Sequence, residues 1–126
     1  MIFLDANILL EVVLVDRPHY ERVKRLLDNT TEETALSTLT AHLVMHFGRK
    51  EEANDAFLHA MLGENTILDL THEDYQWAAN NEQGRDFEDA LQVAVAIRSE
   101  CSAFITLDRA LARRYDALPI TMIVPN

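Results

Sequence analysis

An α/β fold, with a parallel sheet covered on both faces by helices, is the class that three observations predict. Short apolar runs of strand length recur at Ile2–Leu4, Ala35–Ser37, Thr66–Leu70, Ala103–Leu107 and Ile120–Val124, and segments with helical spacing separate them. Strands that alternate with helices argue for a parallel sheet buried on both sides. Two of the runs end in a carboxylate, Asp5 and Asp108, and acids at strand ends collect at the carboxyl edge of such sheets. The chain has no repeat, low-complexity tract or linker, and 126 residues at 48% hydrophobic content suit one domain, 1–126, with a real core.

The elements follow in order. Ile2 to Asn7 is an apolar run that reaches the surface at Asp5. Ile8 to Val15 is strongly apolar and reads either as a short helix or as an extension of the strand. Arg17-Pro18 breaks it, because the residue before proline is pushed out of helical geometry. From Pro18 to Leu27, Tyr20, Val23, Leu26 and Leu27 recur at helical spacing beneath a basic face of Arg22, Lys24 and Arg25. Asp28-Asn29 ends that helix.

After the second strand, Thr38 or Thr40 is expected to cap a helix through Leu43, Val44 and Phe47 to about Gly48. Another helix is expected from about Glu51 to Leu62, with Phe57, Leu58, Met61 and Leu62 on one face and Gly63 at its end. Thr71 followed by Asp74 reads as a capping box opening a helix with Tyr75 and Trp77, both expected in the core. Asn80 to Arg85 is loop-like. Phe87 to Ser99 is helical, with Ala90, Ala94 and Ala96 small enough for close packing. Arg109 to Tyr115 is the last helix before Pro119.

Eleven basic against 21 acidic residues give a formal net charge of −10, which argues against a broad electrostatic grip on nucleic acid. The single cysteine, Cys101, excludes an internal disulfide, makes a structural zinc site improbable and is expected to be buried. The chain opens directly on a strand, without the basic segment and apolar run of a signal peptide, and no stretch approaches about 20 apolar residues. A soluble, cytoplasmic protein with no membrane contact is the expectation.

Chemistry is expected where acids gather. If the first and fourth strands are neighbours, Asp5 and Asp108 share one end of the sheet, and Asp89, in the first turn of its helix, faces them. Carboxylates so close repel unless a cation or protons compensate, and Mg²⁺ or Mn²⁺ prefers such all-oxygen sites. Arg85, Arg109, Arg113 and Arg114, with Arg49-Lys50, are candidates to hold phosphates. Ordinary surface charge accounts for them equally well.

Leu-Asp-Ala-Asn at 4–7, Asp-Phe-Glu-Asp-Ala-Leu-Gln at 86–92 and Ile-Thr-Leu-Asp-Arg at 105–109 together resemble the acidic signatures of PIN domains. They stand in that family's order over essentially the whole chain. The nearest resemblance is to VapC-type toxins of toxin-antitoxin pairs. It implies a five-stranded parallel sheet of order 3-2-1-4-5 in a three-layer α/β/α fold, a Mg²⁺- or Mn²⁺-dependent endoribonuclease acting on RNA, a homodimer and a cognate antitoxin. It also implies Asp5, Asp89 and Asp108 as metal ligands, with Asn7 and Thr106 supporting them. Asp86 is an accessory acid or simply a helix cap, and Glu88 is expected to point away into solvent.

One departure stands out. PIN domains carry a further acid in the helix after the second strand, and counting from Ser37 that position falls at Leu43, or at His42 if the register slips by one. No acid lies between Glu33 and Glu51. His42 and His46, one turn apart, are candidates to substitute in part, since imidazole binds Mn²⁺ or orients water. The competing reading is a catalytically degenerate PIN domain that binds antitoxin or RNA without cleaving. A phosphatase-like alternative fits worse: Asn7 stands where a haloacid-type phosphatase needs a second Asp, and no lysine follows the fourth strand.

Overall fold

A computed structural model describes residues 1–82, 84 and 86–126. Five strands, β1 (Ile2–Leu4), β2 (Thr34–Ser37), β3 (Thr66–Leu68), β4 (Ala103–Ile105) and β5 (Thr121–Ile123), form one sheet in the order β3-β2-β1-β4-β5. Every pairing is parallel, with Phe3 opposite Ala35 on one side and Phe104 on the other. The helices are α1 (Ala6–Val13), α2 (Tyr20–Asp28), α3 (Thr38–Lys50), α4 (Asp55–Gly63), α5 (His72–Asn81), α6 (Phe87–Arg98) and α7 (Arg109–Arg114).

Alternation along each strand builds two cores. Ile2, Leu4, Leu36, Ala103 and Ile105 face α1 to α4, packing with Ile8, Leu9, Val23, Val44 and Leu58. Phe3 and Phe104 face the other way, toward α6 and α7, with Val93, Val95 and Leu111. Their rings stack at 5.2 Å, and burying each contributes about 2–3 kcal/mol. The sheet is thus covered on both faces, which is why β1 and β4 read as continuous apolar runs. Among the described residues no helix is long and apolar enough to cross a membrane.

The ambiguous run after Asn7 is helical. Within it Glu11, only 2% exposed, accepts hydrogen bonds from the His19 backbone N–H at 2.5 Å and Arg17 Nε at 3.4 Å, fastening the α1–α2 connection. The cap of α3 is Ser37 rather than Thr38 or Thr40. Its Oγ accepts from the Thr40 N–H at 3.0 Å, and Thr40 returns the bond, completing a capping box.

Gly48 does not end α3. It sits inside the helix where a Cβ would come within 2.7 Å of Leu58 Cδ1, so glycine here permits close approach of α4. The next helix begins at Asp55, capped by Asn54, and not at Glu51, because Glu52 adopts a positive φ of 60° that no helix tolerates. The Thr71–Asp74 box opens α5 as expected, and α5 continues to Asn81, two residues into the stretch read as loop. Cys101 is buried. Tyr75 is not in the core: it is 53% exposed, with its ring against His72 and Phe87, while Trp77 packs on Tyr115.

Candidate functional site

At the carboxyl edge of the sheet, three helices begin next to one another, and each start carries an acid. β1 delivers Asp5 as the cap of α1, its Oδ1 accepting from the Ala6 N–H at 2.7 Å. β4 leads through Thr106 and Leu107 to Asp108, which caps α7 by accepting from the N–H groups of Ala110 and Leu111. Asp86 caps α6 through the Asp89 N–H at 3.2 Å, so Asp89 lies in that first turn. Helix N-termini carry partial positive charge and unpaired N–H groups, so acids are locally favoured at all three places.

Thr106 joins two of these starts. Fully buried, its hydroxyl donates to Asp5 Oδ2 at 2.8 Å and accepts from Asn7 Nδ2 at 3.2 Å and the Asp108 N–H at 3.0 Å. One donor and two acceptor sites are then all in use. Asn7 closes the link by accepting from the Leu107 N–H at 3.1 Å. The Asp5 N–H also donates to the Ile105 carbonyl, holding the ends of β1 and β4 in register.

Electrostatics record the crowding. Burial pushes the Asp5 carboxyl up to about 6, against the hydrogen bonds from Thr106 and Ala6, and the charges of Asp108 and Glu88 add to the rise. Burial also lifts Asp89 to about 7, helped by the charges of Asp5, Asp86 and Asp108 and opposed by Arg114, whose Nη1 stands 4.0 Å from Asp89 Oδ2. Two acids therefore resist full ionisation near neutral pH, as expected when like charges share a partly dry site.

A hard divalent cation fits this donor set chemically: the side chains offer oxygen, and their mutual repulsion is what such an ion relieves. Among the described residues, however, no three acidic, histidine or cysteine side chains already stand as a cage around one point. The carboxylates need to turn inward to share an ion.

Other candidates fall as follows. Asp86 is exposed and serves as a cap. Glu88 is exposed yet does not simply face away, since its charge reaches Asp5, and its own carboxyl is raised by burial and by Asp86 and lowered by His42. Leu43 packs against the core on the α1–α4 side. His42 and His46 are exposed on α3, with rings 6.0 Å apart, and His42 is near enough to Glu88 to act on its carboxyl.

Arg114 borders the site. Arg109 and Arg113 are exposed, Arg49 is engaged by Asp55 at 3.0 Å, and Lys50 lies over the Phe47 ring. Arg85 lies outside the described residues. Sequence reasoning missed one buried link: Ser37 Oγ donates to Gln92 Oε1 at 2.6 Å, tying the start of α3 to α6 one turn past Asp89. A glutamine amid Ala-Leu-Gln-Val-Ala-Val was the available signal.

Comparison with known proteins gives the family and the fold. The family model described as PIN domain matches residues 2–117. A toxin-antitoxin complex from Klebsiella pneumoniae aligns over 100% of this chain and 98% of its own at a TM-score of 0.81 and 19% identity. Mycobacterium tuberculosis VapC20, described as a sarcin-ricin loop cleaving toxin, aligns over 96% and 99% at 0.77 and 14% identity. VapBC2 from Rickettsia felis, bound to a promoter DNA fragment, aligns over 100% of both chains at 0.72 and 17% identity. At these identities the likeness is one of fold. Among curated proteins no sequence relative matches.

Proposed function

The chain belongs to the PIN domain family, and from that premise we propose that it is a VapC-like toxin: a metal-dependent endoribonuclease that hydrolyses RNA phosphodiester bonds. The observation that carries the proposal is the gathering of Asp5, Asp89 and Asp108 at one sheet edge, with Asp5 and Asp89 held above the usual carboxylate range. In this reading the three side chains hold Mg²⁺ or Mn²⁺. When bound, such a cation lowers the pKa of a coordinated water and stabilises charge developing on the phosphate.

The chain's own residues prepare that site. Thr106 and Asn7 fix the Asp5 carboxylate, leaving lone pairs free for a ligand. Asp108 uses only Oδ1 for capping. Arg114 restrains Asp89 while the acids are crowded. Exposed Arg109 and Arg113, on α7 beside the acids, contact substrate phosphates, and exposed Tyr75 offers a ring for base stacking.

The toxin-antitoxin complexes among the structural neighbours support a cognate antitoxin as partner. A groove of about 490 Å³ between α2 and α4, lined by Leu9, Val12, Phe57 and Met61 together with Lys24, Asp28 and Glu64, offers it a mixed apolar and charged seat. We read the protein as a cytoplasmic homodimer, one domain over 1–126.

A second reading, a degenerate domain that binds without cleaving, is favoured by the absence of a site-facing acid on α3. Incubating purified protein with structured RNA in Mn²⁺ or Mg²⁺, beside Asp5→Asn and EDTA controls, separates the two. Cleavage abolished by both controls supports the nuclease; cleavage that survives them refutes it. Folded protein that binds RNA or antitoxin without cutting supports the degenerate domain.

A further inference from the structure

Arg22 and Arg25 stand three residues apart on α2, so their side chains leave one helix face with Cβ atoms about 5–6 Å apart. That face borders a cleft of about 320 Å³, whose other wall is the end of β5 and the residues after it, Ile123 to Asn126. Clefts of about 300 Å³ and more are the size that small ligands occupy. Among the described residues no aspartate or glutamate lines it, in a chain that carries 21 of them.

Both guanidinium groups stand apart from carboxylates. Among the described residues neither forms an ion pair, while Arg17, Arg49, Arg98 and Arg114 each lie within 4.0 Å of an acid. Arg22 Nη2 is held by the His19 ring, and its Nε is shielded from solvent with no hydrogen-bond partner. Such a donor is costly to leave unpaired and gains by turning toward an acceptor. Arg25 lies in the last turn of α2, where the helix dipole alone favours a cation. The dipole accounts for one arginine and not for the pair.

The cleft adjoins the sheet edge that carries the acids. The Ile123 carbonyl accepts from the Thr106 N–H at 3.0 Å, and Thr106 in turn donates to Asp5. One wall of the cleft therefore starts on the strand next to β4, about 5 Å away.

We propose that Arg22 and Arg25, with the Asn29 amide beside them, form a subsite for a phosphate group, and that this phosphate belongs to the backbone of the RNA strand cut at the aspartate centre. The assignment to RNA rests on the nuclease reading. A guanidinium presents paired N–H donors that match phosphate oxygens, and such contacts fix a strand's register without reading its sequence. On a chain of net charge −10, two arginines clear of acids are a place where a polyanion is gripped.

The test begins with inorganic phosphate, titrated into the full chain in EDTA while the arginine Nε–H signals are followed by NMR. Saturable shifts of Arg22 and Arg25 are expected, with the acid-paired Arg17 and Arg49 unmoved. A short single-stranded RNA should move the same two signals at lower concentration, because a backbone supplies several phosphates. In Mn²⁺, Arg22→Gln/Arg25→Gln should raise KM for RNA cleavage by about tenfold with kcat unchanged, as loss of a hydrogen bond to a charged group would. The slope of log KM against log salt should flatten by about 0.7 for one phosphate contact. Circular dichroism checks that the variant folds, and the wild-type titrations decide the matter without it. RNA that moves both signals but is never cut supports the subsite and sinks the nuclease reading instead. Shifts with phosphate but not with RNA, or an unchanged KM in an active enzyme, overturn the RNA subsite and leave the cleft to free phosphate. No shift with either probe overturns the whole proposal. So does a polyglutamate peptide that moves both signals at lower concentration than RNA, which gives the cleft to an acidic protein segment.

Discussion

Replacing Asp89 by Asn removes one charge from the crowded sheet edge while keeping the side chain's size. The Asp89 carboxyl rises from 3.8 to about 7, chiefly through burial and then through the charges of Asp5, Asp86 and Asp108. A shift of that size corresponds to at most about 4 kcal/mol against folding. Asp89 keeps 18% of its side chain in solvent, so the working figure is about 1–2 kcal/mol.

The sign follows from proton counting. Between pH 3.8 and about 7 the folded chain holds a proton on Asp89 that the unfolded chain has released. Stability from this group is therefore complete below the lower value and lost as pH rises through the upper one. In EDTA, Asp89→Asn is expected to be more stable than wild type by about 1–2 kcal/mol at pH 8, with the gap closing as pH falls toward 4. Saturating Mn²⁺ reverses the order, because a ligand at 100 times its Kd adds about 2.7 kcal/mol to the protein that binds it. Urea denaturation at two pH values, with and without metal, reads all of this. An Asp89→Asn protein less stable than wild type in EDTA at pH 8 would refute the reasoning. It would mean that Arg114 makes Asp89 a net stabilising ion pair.

Other expectations follow from the same structure. Thr106→Val keeps the shape but strips the shared hydroxyl from Asp5, Asn7 and the Asp108 N–H, so it should cost about 2–3 kcal/mol in urea denaturation and weaken Mn²⁺ binding. Arg98 donates to both oxygens of Asp74, at 2.9 and 3.1 Å, and Asp74 is 1% exposed. Arg98→Met leaves that carboxylate buried and unpaired, at a cost of about 2–3 kcal/mol that a second change, Asp74→Asn, should partly restore. Leu43→Glu puts a charge against the core and should lose about 2 kcal/mol without tightening Mn²⁺. His42→Glu should instead tighten Mn²⁺ by about tenfold in calorimetry by adding a carboxylate near the site. The opposite ranking would mean that α3 presents its other face.

The layered fold was legible because both faces of the sheet are buried, which turns strands such as Ala103–Ile105 into unbroken apolar runs between helical segments. The acids were legible for a related reason: Asp5 and Asp108 stand where those runs stop. Helix limits were less so. Gly48 looked like a terminator because the residue it makes room for, Leu58, comes from the next helix. Ser37 was read as strand because a cap is defined by the turn of the backbone after it, and its Oγ serves both Thr40 and Gln92.

By itself, then, the sequence determined the class of fold, the alternation of its elements and the identity of the acids at strand and helix ends, since local hydrophobic period and turn chemistry write these into neighbouring residues. Only tertiary structure decided what depends on distant segments meeting. Thr106 reaches Asp5 across 101 positions, Gln92 reaches Ser37 across 55, and Leu43 turns into the core while His42 stays outside. The crowding that lifts Asp5 and Asp89 belongs to this second kind, because a carboxyl's proton affinity is set by the charges and the water around it in space.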